Sequence, residues 1–330
     1  MKDFEPTEFE ALGIVIKVPI RRRNATASNV PKGEGGSKSV RRIARIVRRS
    51  PEVMVKISGR AKGFNHLREH LNYITRNGEL AAETADGGLV EGRLAVRDVA
   101  EAWWRSRGSE VDQRRQNSSE TVNMVLSMPK NTDRDKFAEG ARRFAARTFA
   151  GNYDYLVVEH RDTDHPHVHL TIRTRGEDGV RLNPRKAELQ AWREALAEEL
   201  RAQGVEAEAT PRRTRGVVQK PKRQAIKYLD MRNASRVQRA KVVEALRELQ
   251  KRTAAGEKPW EEATRYRQGQ IRKAWAGLAD RFEKEGGEGV VLAREIRGFV
   301  AAMPPVETER DAMRRTVAGQ LKARQTPLGR

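Results

Sequence analysis

The sequence predicts an α+β domain followed by a region that is helical throughout. Between residues 51 and 210, segments with the two-residue alternation of β-strands are interspersed with segments whose apolar residues recur at helical spacing. Beyond residue 233, only the helical spacing occurs. Strands and helices mixed in this way indicate an α+β architecture. The length of 330 residues is sufficient for about two domains.

The composition indicates a polyanionic partner. The chain has 66 lysines and arginines against 45 aspartates and glutamates, a formal net charge of +21. This charge favours nucleic acid through counterion release, with an anionic membrane surface as the second choice. No apolar run approaches the roughly 20 residues that cross a bilayer, and no signal segment follows Met1, so we expect no stable membrane insertion and a cytoplasmic location. The absence of cysteine leaves His, Asp and Glu as candidate metal ligands.

The charge distribution divides the chain into four segments. Residues 1–50 are predicted to be a basic flexible arm, because eleven lysines and arginines lie between Lys17 and Arg49 with the single acid Glu34. The end of this arm, Val40–Arg49, is also compatible with a short helix. The remaining segments are the α+β domain over residues 51–210, a basic linker over residues 211–233 and the helical region over residues 234–330.

The strands are predicted from alternation and from the residues that end each run. In the first run, apolar residues alternate with Met54 and Lys56. Pro129 ends the second run, because proline cannot donate to a strand ladder. The predicted strands are Glu52–Ser58, Thr121–Met128, Tyr153–Glu159 and His167–Arg173.

Helices are predicted where apolar residues recur every three or four positions between recognisable ends. Gly78 ends the first helix, Thr132 or Asn131 is the expected N-cap of the third, and Pro184 and Gly204 delimit the fourth. The predicted helices of the domain are Phe64–Asn77, Arg97–Arg107, Asp133–Phe149 and Pro184–Gln203. Those of the C-terminal region are Ser235–Lys251, Trp260–Glu283, Val290–Ala302 and Thr308–Arg324.

Four of the six histidines lie within ten residues, from His160 to His169. Residues i and i+2 of a strand project from the same face, so His167 and His169 can present two imidazoles to one ion while Val168 points into the core. His160, at the end of the neighbouring strand, can supply a third imidazole. Three histidines with open coordination positions are typical of a catalytic metal site, and imidazoles alone suit zinc, manganese or nickel.

Two carboxylates in the same run are candidates for orienting these imidazoles. Asp162 and Asp164 lie close enough in sequence to accept hydrogen bonds from the imidazole N–H groups. The alternative interpretation of the whole run is a set of surface histidines in a polar loop.

A tyrosine occupies the polar side of the first predicted helix. Tyr73 shares a stripe with His66, His70 and Asn77, offset from the apolar stripe. A phenol has a reference pKa of about 10 and is a poor nucleophile at neutral pH. Attack on a phosphodiester therefore needs a base for the proton and neutralisation of the phosphate charge, and histidines with a metal ion can supply both.

The histidine run resembles a known motif. His160 to His169, followed by Leu-Thr-Ile, resembles the HUH motif of conjugative relaxases, in the Asp-His-Pro-His-x-His form of the MobA/VirD2 type and of plasmid mobilisation nucleases. In addition, residues 71–79 resemble the motif that carries the relaxase tyrosine, and residues 121–129 resemble a strand with a DNA-contacting serine. The resemblance covers about residues 52–215 and implies an antiparallel-sheet HUH nuclease domain with flanking helices.

The resemblance also implies roles for individual residues. Tyr73 corresponds to the nucleophile. Asp162 matches a catalytic position of the family, as a ligand, a base or an orienting group. The implied ligands of a divalent metal, Mg²⁺ or Mn²⁺, are His160, His167 and His169. The implied DNA contacts are Ser127, Arg76 and His165.

Site- and strand-specific DNA nicking at a plasmid or mobile-element transfer origin is the activity that the resemblance implies. The tyrosine forms a covalent 5′-phosphotyrosine adduct and the strand is rejoined after conjugative transfer. The implied partners are single-stranded and supercoiled DNA, accessory relaxosome proteins and a type IV coupling protein. The implied location is the bacterial cytoplasm, with translocation alongside the DNA to a recipient cell left open.

Two alternatives remain at this point. A rolling-circle replication initiator uses the same HUH chemistry, although initiators tend to place the tyrosine after the histidines, whereas Tyr73 precedes them. A non-catalytic, metal-stabilised DNA-binding protein would instead show metal-dependent folding without strand cleavage.

Overall fold

A computed structural model describes residues 34–106, 118–219, 224–232, 235–250 and 258–325. The chain divides into two compact units. One unit is Arg49–Ala209, and the other combines the described parts of Met1–Arg48 and Thr210–Arg330.

The unit Arg49–Ala209 is built on one antiparallel sheet. Among the described residues, six strands pair in the order β1-β4-β6-β5-β2-β3. The strands are β1 (Met54–Gly59), β2 (Ala82–Thr84), β3 (Leu89–Val90), β4 (Thr121–Ser127), β5 (Tyr155–His160) and β6 (His167–Arg173). The predicted α+β class with an antiparallel sheet is confirmed.

Helices cover both faces of this sheet. Helix α1 (Glu34–Val47) belongs to the other unit, and the helices of the sheet unit are α2 (Gly63–Ile74), α3 (Gly92–Arg105), α4 (Arg134–Phe149) and α5 (Lys186–Ala202). On one face, α4 and α5 form a core with β1, β4, β5 and β6 that includes Phe144 and Trp192. On the opposite face, α2 and α3 pack against Leu156 and Val158 of β5. Covering both faces explains why nearly every residue of β4 is buried.

Strands β2 and β3 are absent from the sequence prediction. They contain three and two residues, too few to show an alternation. Helix α3 also begins at Gly92, five residues before the predicted start at Arg97, and the predicted end at Arg107 lies outside the described residues.

Two predicted helix ends are wrong in detail. Helix α2 ends at Ile74 and not at Asn77, because Arg76 and Asn77 adopt left-handed conformations with φ of 52° and 59°. The N-cap of α4 is Asp133, and neither Thr132 nor Asn131. The Asp133 carboxylate accepts hydrogen bonds from the backbone N–H groups of two residues in the first turn, each at 3.1 Å.

The second unit is helical. It contains α1, the 3₁₀ helix Arg212–Arg215, α6 (Gln224–Met231), α7 (Arg236–Gln250), α8 (Pro259–Glu285), α9 (Glu288–Ala301) and α10 (Glu309–Gln325). Its core joins Ile43 and Ile46 of α1 to Trp275 of α8 and Phe299 of α9. None of the described helices combines the length and the apolar character needed to cross a membrane.

The expected arm and linker differ from the structure where the chain is described. Within residues 1–50, expected to be flexible, α1 is a helix whose Ile43 and Ile46 side chains are 0% and 1% exposed; residues 1–33 lie outside the described residues. Within residues 211–233, expected to be a linker, the Thr214 carbonyl oxygen accepts a hydrogen bond from Trp275 Nε1 at 2.9 Å. A composition dominated by positive charge conceals these few buried side chains.

Candidate active site

The strand register brings the three predicted histidine ligands together. His160 of β5 lies directly opposite His167 of β6, and His169 follows two residues later on the same face. The ring centroid of His160 lies 5.3 Å from that of His167 and 4.3 Å from that of His169. One ring nitrogen from each histidine lies within 4.8 Å of the others. The intervening Val168 is buried in the core on the opposite face.

Hydrogen bonds define which ring nitrogens are free to bind a metal. His160 Nε2 lies 2.6 Å from the Ile74 carbonyl oxygen, which can only accept, so Nε2 carries the hydrogen and Nδ1 keeps its lone pair. In the same way, His167 Nδ1 donates to the His165 carbonyl oxygen at 3.1 Å, which leaves Nε2 free. His169 Nδ1 is buried and has no hydrogen-bond partner among the described residues. A set of three imidazole donors therefore fits a divalent transition metal ion.

Burial favours the neutral, metal-binding form of His160 and His169. Burial, followed by the neighbouring His160 and His167, lowers the pKa of His169 to about 3. Burial also lowers the pKa of His160 below its usual value. Because a ligating histidine must be deprotonated, the site is ready for a cation at neutral pH.

Tyr73 stands at the edge of this cluster. Its side chain is 59% exposed, and its ring meets the His169 ring edge-on with a centroid separation of 6.1 Å. The guanidinium of Arg76 lies 5.6 Å from the centroid of the Tyr73 ring. The residue that follows Tyr73 supplies the carbonyl oxygen that orients His160, so the helix end and the histidines form one connected site.

Asp162 connects the tyrosine side of the site to the histidines. Its Oδ2 accepts a short hydrogen bond from Arg76 Nη2, and its Oδ1 lies 3.7 Å from His167 Nε2. Although desolvation opposes the change, the electrostatic interaction with the neighbouring His160 and the hydrogen bond from Arg76 hold the pKa of Asp162 below its usual value. Asp162 is therefore an ionised carboxylate between a guanidinium and an imidazole.

The remaining predicted residues are distributed around the cluster. Ser127 lies opposite His167 in the β4–β6 register and is 8% exposed, and its hydroxyl lies 3.3 Å from the Met128 carbonyl oxygen. His165 is exposed, and its backbone carbonyl, not its ring, contacts His167. The expected orienting contact from Asp164 is replaced by one from Thr163, whose hydroxyl lies 3.2 Å from His167 Nδ1.

One histidine near the site was not assigned a role from sequence. His70, on α2 one turn before Tyr73, places Nε2 2.8 Å from the hydroxyl of Thr171 on β6. Burial lowers its pKa to about 4. Its position on the polar stripe of the predicted helix was the available signal, but that stripe does not show which strand it faces.

Residues 73–205 match the family described as "Relaxase: MobA/VirD2-like, nuclease domain". This segment is similar to the MobA/VirD2-like relaxase nuclease domain. The match to the relaxase family begins at Tyr73, so β1 and most of α2 precede it.

Curated relatives of the relaxase domain carry a consistent name. The T-DNA border endonuclease VirD2 of Rhizobium radiobacter is 28% identical over 209 residues, which are 58% of this chain and 48% of that protein. VirD2 of Agrobacterium fabrum is 26% identical over 63% of this chain and 49% of its own length. The chain therefore spans about half the length of the curated relatives it matches.

A chain of known structure is also similar. It is described as "Molecular Basis of Vancomycin Resistance Transfer in Staphylococcus aureus", and the match covers 49% of this chain and 99% of that chain with 13% identity. The TM-score is 0.31, and a superposition this loose carries no argument about function.

Proposed function

We propose that this chain nicks one strand of DNA at a plasmid or mobile-element transfer origin, with Tyr73 as the nucleophile. The observation that carries the proposal is the edge-on approach of Tyr73 to a cluster of three histidines, with 6.1 Å between the centroids of the Tyr73 and His169 rings. An exposed phenol beside a cation site is what transesterification of a phosphodiester requires. The relaxase family match over residues 73–205 supports the same chemistry.

The reaction exchanges one phosphodiester for another. The Tyr73 oxygen attacks the phosphorus, the bond from phosphorus to the 3′ oxygen breaks, and the 3′ hydroxyl leaves with a proton while the phenol proton passes to a base. The product is a 5′-phosphotyrosine, which retains the ester bond for rejoining after transfer. His160, His167 and His169 would hold a divalent ion, Mg²⁺ or Mn²⁺ by resemblance to the family, and this ion would supply Lewis-acid neutralisation of the scissile phosphate.

The side chains around Tyr73 have positioning roles in this proposal. The contacts of Asp162 support an orienting role, because its carboxylate is hydrogen-bonded to Arg76 and lies 3.7 Å from His167 Nε2. We assign Arg76, over the Tyr73 ring, and His165, exposed at the loop, to contacts with DNA phosphates. Ser127 lies in the sheet row of His167 and is assigned to the DNA beside the scissile phosphate.

The proposed substrate is DNA that is supercoiled before nicking and locally single-stranded at the transfer origin. Accessory relaxosome proteins and a type IV coupling protein are proposed partners by resemblance to the relaxase family. We place the activity in the bacterial cytoplasm, with passage of the adduct to a recipient cell as its final step.

The test uses supercoiled plasmid that carries the DNA flanking the coding sequence, with Mg²⁺ or Mn²⁺. The wild-type chain is expected to yield nicked plasmid and an SDS-resistant adduct at the 5′ end of the nick. Tyr73→Phe preserves the ring and is expected to abolish the adduct, because the nucleophilic oxygen is removed. Tyr266→Phe is the matched control, because Tyr266 is similarly exposed but lies on α8. An adduct that survives in Tyr73→Phe contradicts the assignment.

A further inference from the structure

Strand β1 extends the rows of side chains that contain the histidines. Met54 of β1 lies opposite Ser127 of β4, and Ser127 lies opposite His167 of β6. Directly opposite residues of neighbouring strands project from the same face of a sheet. Met54 therefore lies in the same row as His167, on the same face of the sheet.

The next row repeats this arrangement with a positive charge. Lys56 lies opposite Val125, and Val125 lies opposite His169. Neighbouring strands are about 4.8 Å apart, so residues on β1 lie on the order of 10 Å from the histidines of β6. The Val55 side chain between Met54 and Lys56 points to the opposite face, where it is 1% exposed in the core.

This part of the face is open to solvent. The helices on the histidine side, α2 and α3, pack against β5 and β2, and Met54 is 43% exposed. Lys56 is exposed and forms no ion pair or hydrogen bond within the part of the chain that the structure describes. Because β1 is an edge strand of the sheet, the packing of the domain leaves Met54 and Lys56 uncovered on the histidine face.

The charge on this face favours a polyanion. Strands β1, β4 and β6 are described over their whole length, and none of the residues that they direct to the histidine face is acidic. The carboxylate of Asp162 belongs to the loop after β5 and is paired with Arg76. A phosphate that approaches Lys56 along the sheet therefore meets no strand carboxylate.

We infer that Met54 and Lys56 form a binding site for a nucleotide that flanks the scissile phosphate in single-stranded DNA. The Lys56 ammonium binds a phosphate of the strand, and the flexible Met54 side chain packs against the adjacent base. The inference rests on the proposed function for the position of the scissile phosphate, while binding of the strand to this surface can be measured without nicking.

The first measurement is the salt dependence of binding to a fluorescein-labelled dT20 oligonucleotide. Lys56→Ala is expected to bind severalfold more weakly and to lower the slope of log affinity against log salt by about 0.7, the value of one lost phosphate contact in single strands. Lys186→Ala removes the same charge from an exposed position at the start of α5 on the opposite face and is expected to leave the slope unchanged. Equal slopes in the two variants overturn the inference.

The second measurement locates the base. A dT20 oligonucleotide with 5-iododeoxyuridine is irradiated with the full chain, and the crosslinked peptides are identified by mass spectrometry. A crosslink to the peptide containing Met54, lost in Met54→Ala, supports the site; crosslinks confined to other peptides overturn it.

These outcomes are distinguishable from failure of the proposed function. If Tyr73→Phe still forms an adduct but Lys56→Ala lowers the salt slope, the nucleotide site stands and the assigned nucleophile is wrong. If nicking depends on Tyr73 and Lys56→Ala behaves like Lys186→Ala, the nucleotide site is wrong. With an intact oligonucleotide that carries the nick site, Lys56→Ala is expected to raise KM and leave kcat near the wild-type value.

Discussion

The carbonyl oxygen of Ile74 connects the end of α2, which carries Tyr73, to the histidine cluster. It accepts the Nε2 hydrogen of His160, and its own residue follows Tyr73 in the chain. Fixing the tautomer of a ligating histidine through its second nitrogen is a common way to orient a metal ligand. Because of this bond, the position of the helix end that carries Tyr73 depends on the orientation of His160.

At the same scale, we predict that removing any one of the three histidines weakens metal binding. His169→Ala is expected to lower Mn²⁺ affinity by at least about tenfold, since even loss of a residue that merely orients a ligand typically costs 10–100-fold. The fold is expected to persist, because His169 Nδ1 has no hydrogen-bond partner within the described residues. Calorimetric titration with Mn²⁺ measures the affinity, and the exposed His66→Ala is the control. Unchanged affinity in the His160, His167 and His169 variants dismisses the site.

The Arg76–Asp162 pair gives a second prediction for single residues. Both side chains are partly exposed, at 40% and 48%, so the ion pair itself contributes little to stability. Its expected effect is on the rate of adduct formation at saturating DNA, because it holds the guanidinium over the Tyr73 ring. Arg76→Ala and Asp162→Ala are each expected to slow the reaction roughly tenfold, and the double variant is expected to be no slower than either, as for residues that act as a unit. Fully additive losses contradict the pairing, and Arg76→Lys is expected to restore only part of the rate because it lacks the planar fork.

Among the elements, α2 has the largest effect on the site. Its apolar stripe buries Leu67, Leu71 and Ile74 against the sheet, which turns Tyr73 outward. In the turn that follows α2, the backbone of Gly78 passes close to that of Gly92. A Cβ at Gly78 would lie 2.3 Å from the backbone of Gly92. Glycine is therefore required there both for its φ of 91° and for the close approach of the two backbones.

The contact between α2 and β6 predicts a pH dependence of stability. The pKa of His70 is about 4 in the folded chain because of burial, and about 6.5 for an unfolded histidine. Between these values the unfolded chain binds more protons, so the free energy of unfolding decreases as the pH falls from about 6.5 towards 4 and is unaffected by His70 above that range. His169, on the strand packed against α2, acts in the same direction.

His70→Gln tests this dependence. Glutamine can still hydrogen-bond Thr171 but does not titrate, so the loss of stability between pH 7.5 and pH 5 is expected to be smaller in this variant. Urea unfolding in the presence of a chelator measures it, with the exposed His66→Gln as the control. If the free energy of unfolding of His70→Gln depends on pH as steeply as that of the wild type, burial of His70 is not a cause of the pH dependence.

On the scale of the whole molecule, helix α1 contributes both to the net charge of +21 and to a hydrophobic core. Helix α1 contains three arginines and a lysine but contributes Ile43 and Ile46 to the core around Trp275. Removing residues 1–50 to test their electrostatic contribution would therefore also remove core side chains. The contribution of the basic segments Lys17–Arg49 and Arg212–Arg232 to DNA affinity stays a prediction.

Truncating one of these core side chains is expected to destabilise the second unit. Ile43→Ala removes a fully buried side chain, and such changes cost about 2–5 kcal/mol. Hydrogen exchange followed by mass spectrometry is expected to show faster exchange in α8 and α9 but not in β4 or β6. Arg41→Ala, at an exposed position of the same helix, is the control. Equal exchange in the two variants would show that α1 does not stabilise this core.

Much of the candidate site was predictable because its chemistry is local in sequence. The i and i+2 spacing of His167 and His169 determines that both rings share a face, and the apolar stripe of α2 determines that Tyr73 faces away from the core. Both inferences depend only on the periods of a strand and a helix. The antiparallel sheet itself was expected through the relaxase resemblance and is present.

Other features depend on contacts between segments distant in sequence, which no local period encodes. The pairing of Arg76 with Asp162 and of His70 with Thr171 requires α2 to lie on β6. The row from Met54 to His167 exists only because β4 lies between β1 and β6 in the sheet. Likewise, residues 1–50 were expected to be a flexible arm with at most a short helix over Val40–Arg49, because charge dominates their composition, whereas burial of Ile43 against Trp275 stabilises α1 as a helix. The sequence alone determined the functional groups and their local faces, and tertiary packing decided their partners, because burial and hydrogen bonding are set by which segments come into contact.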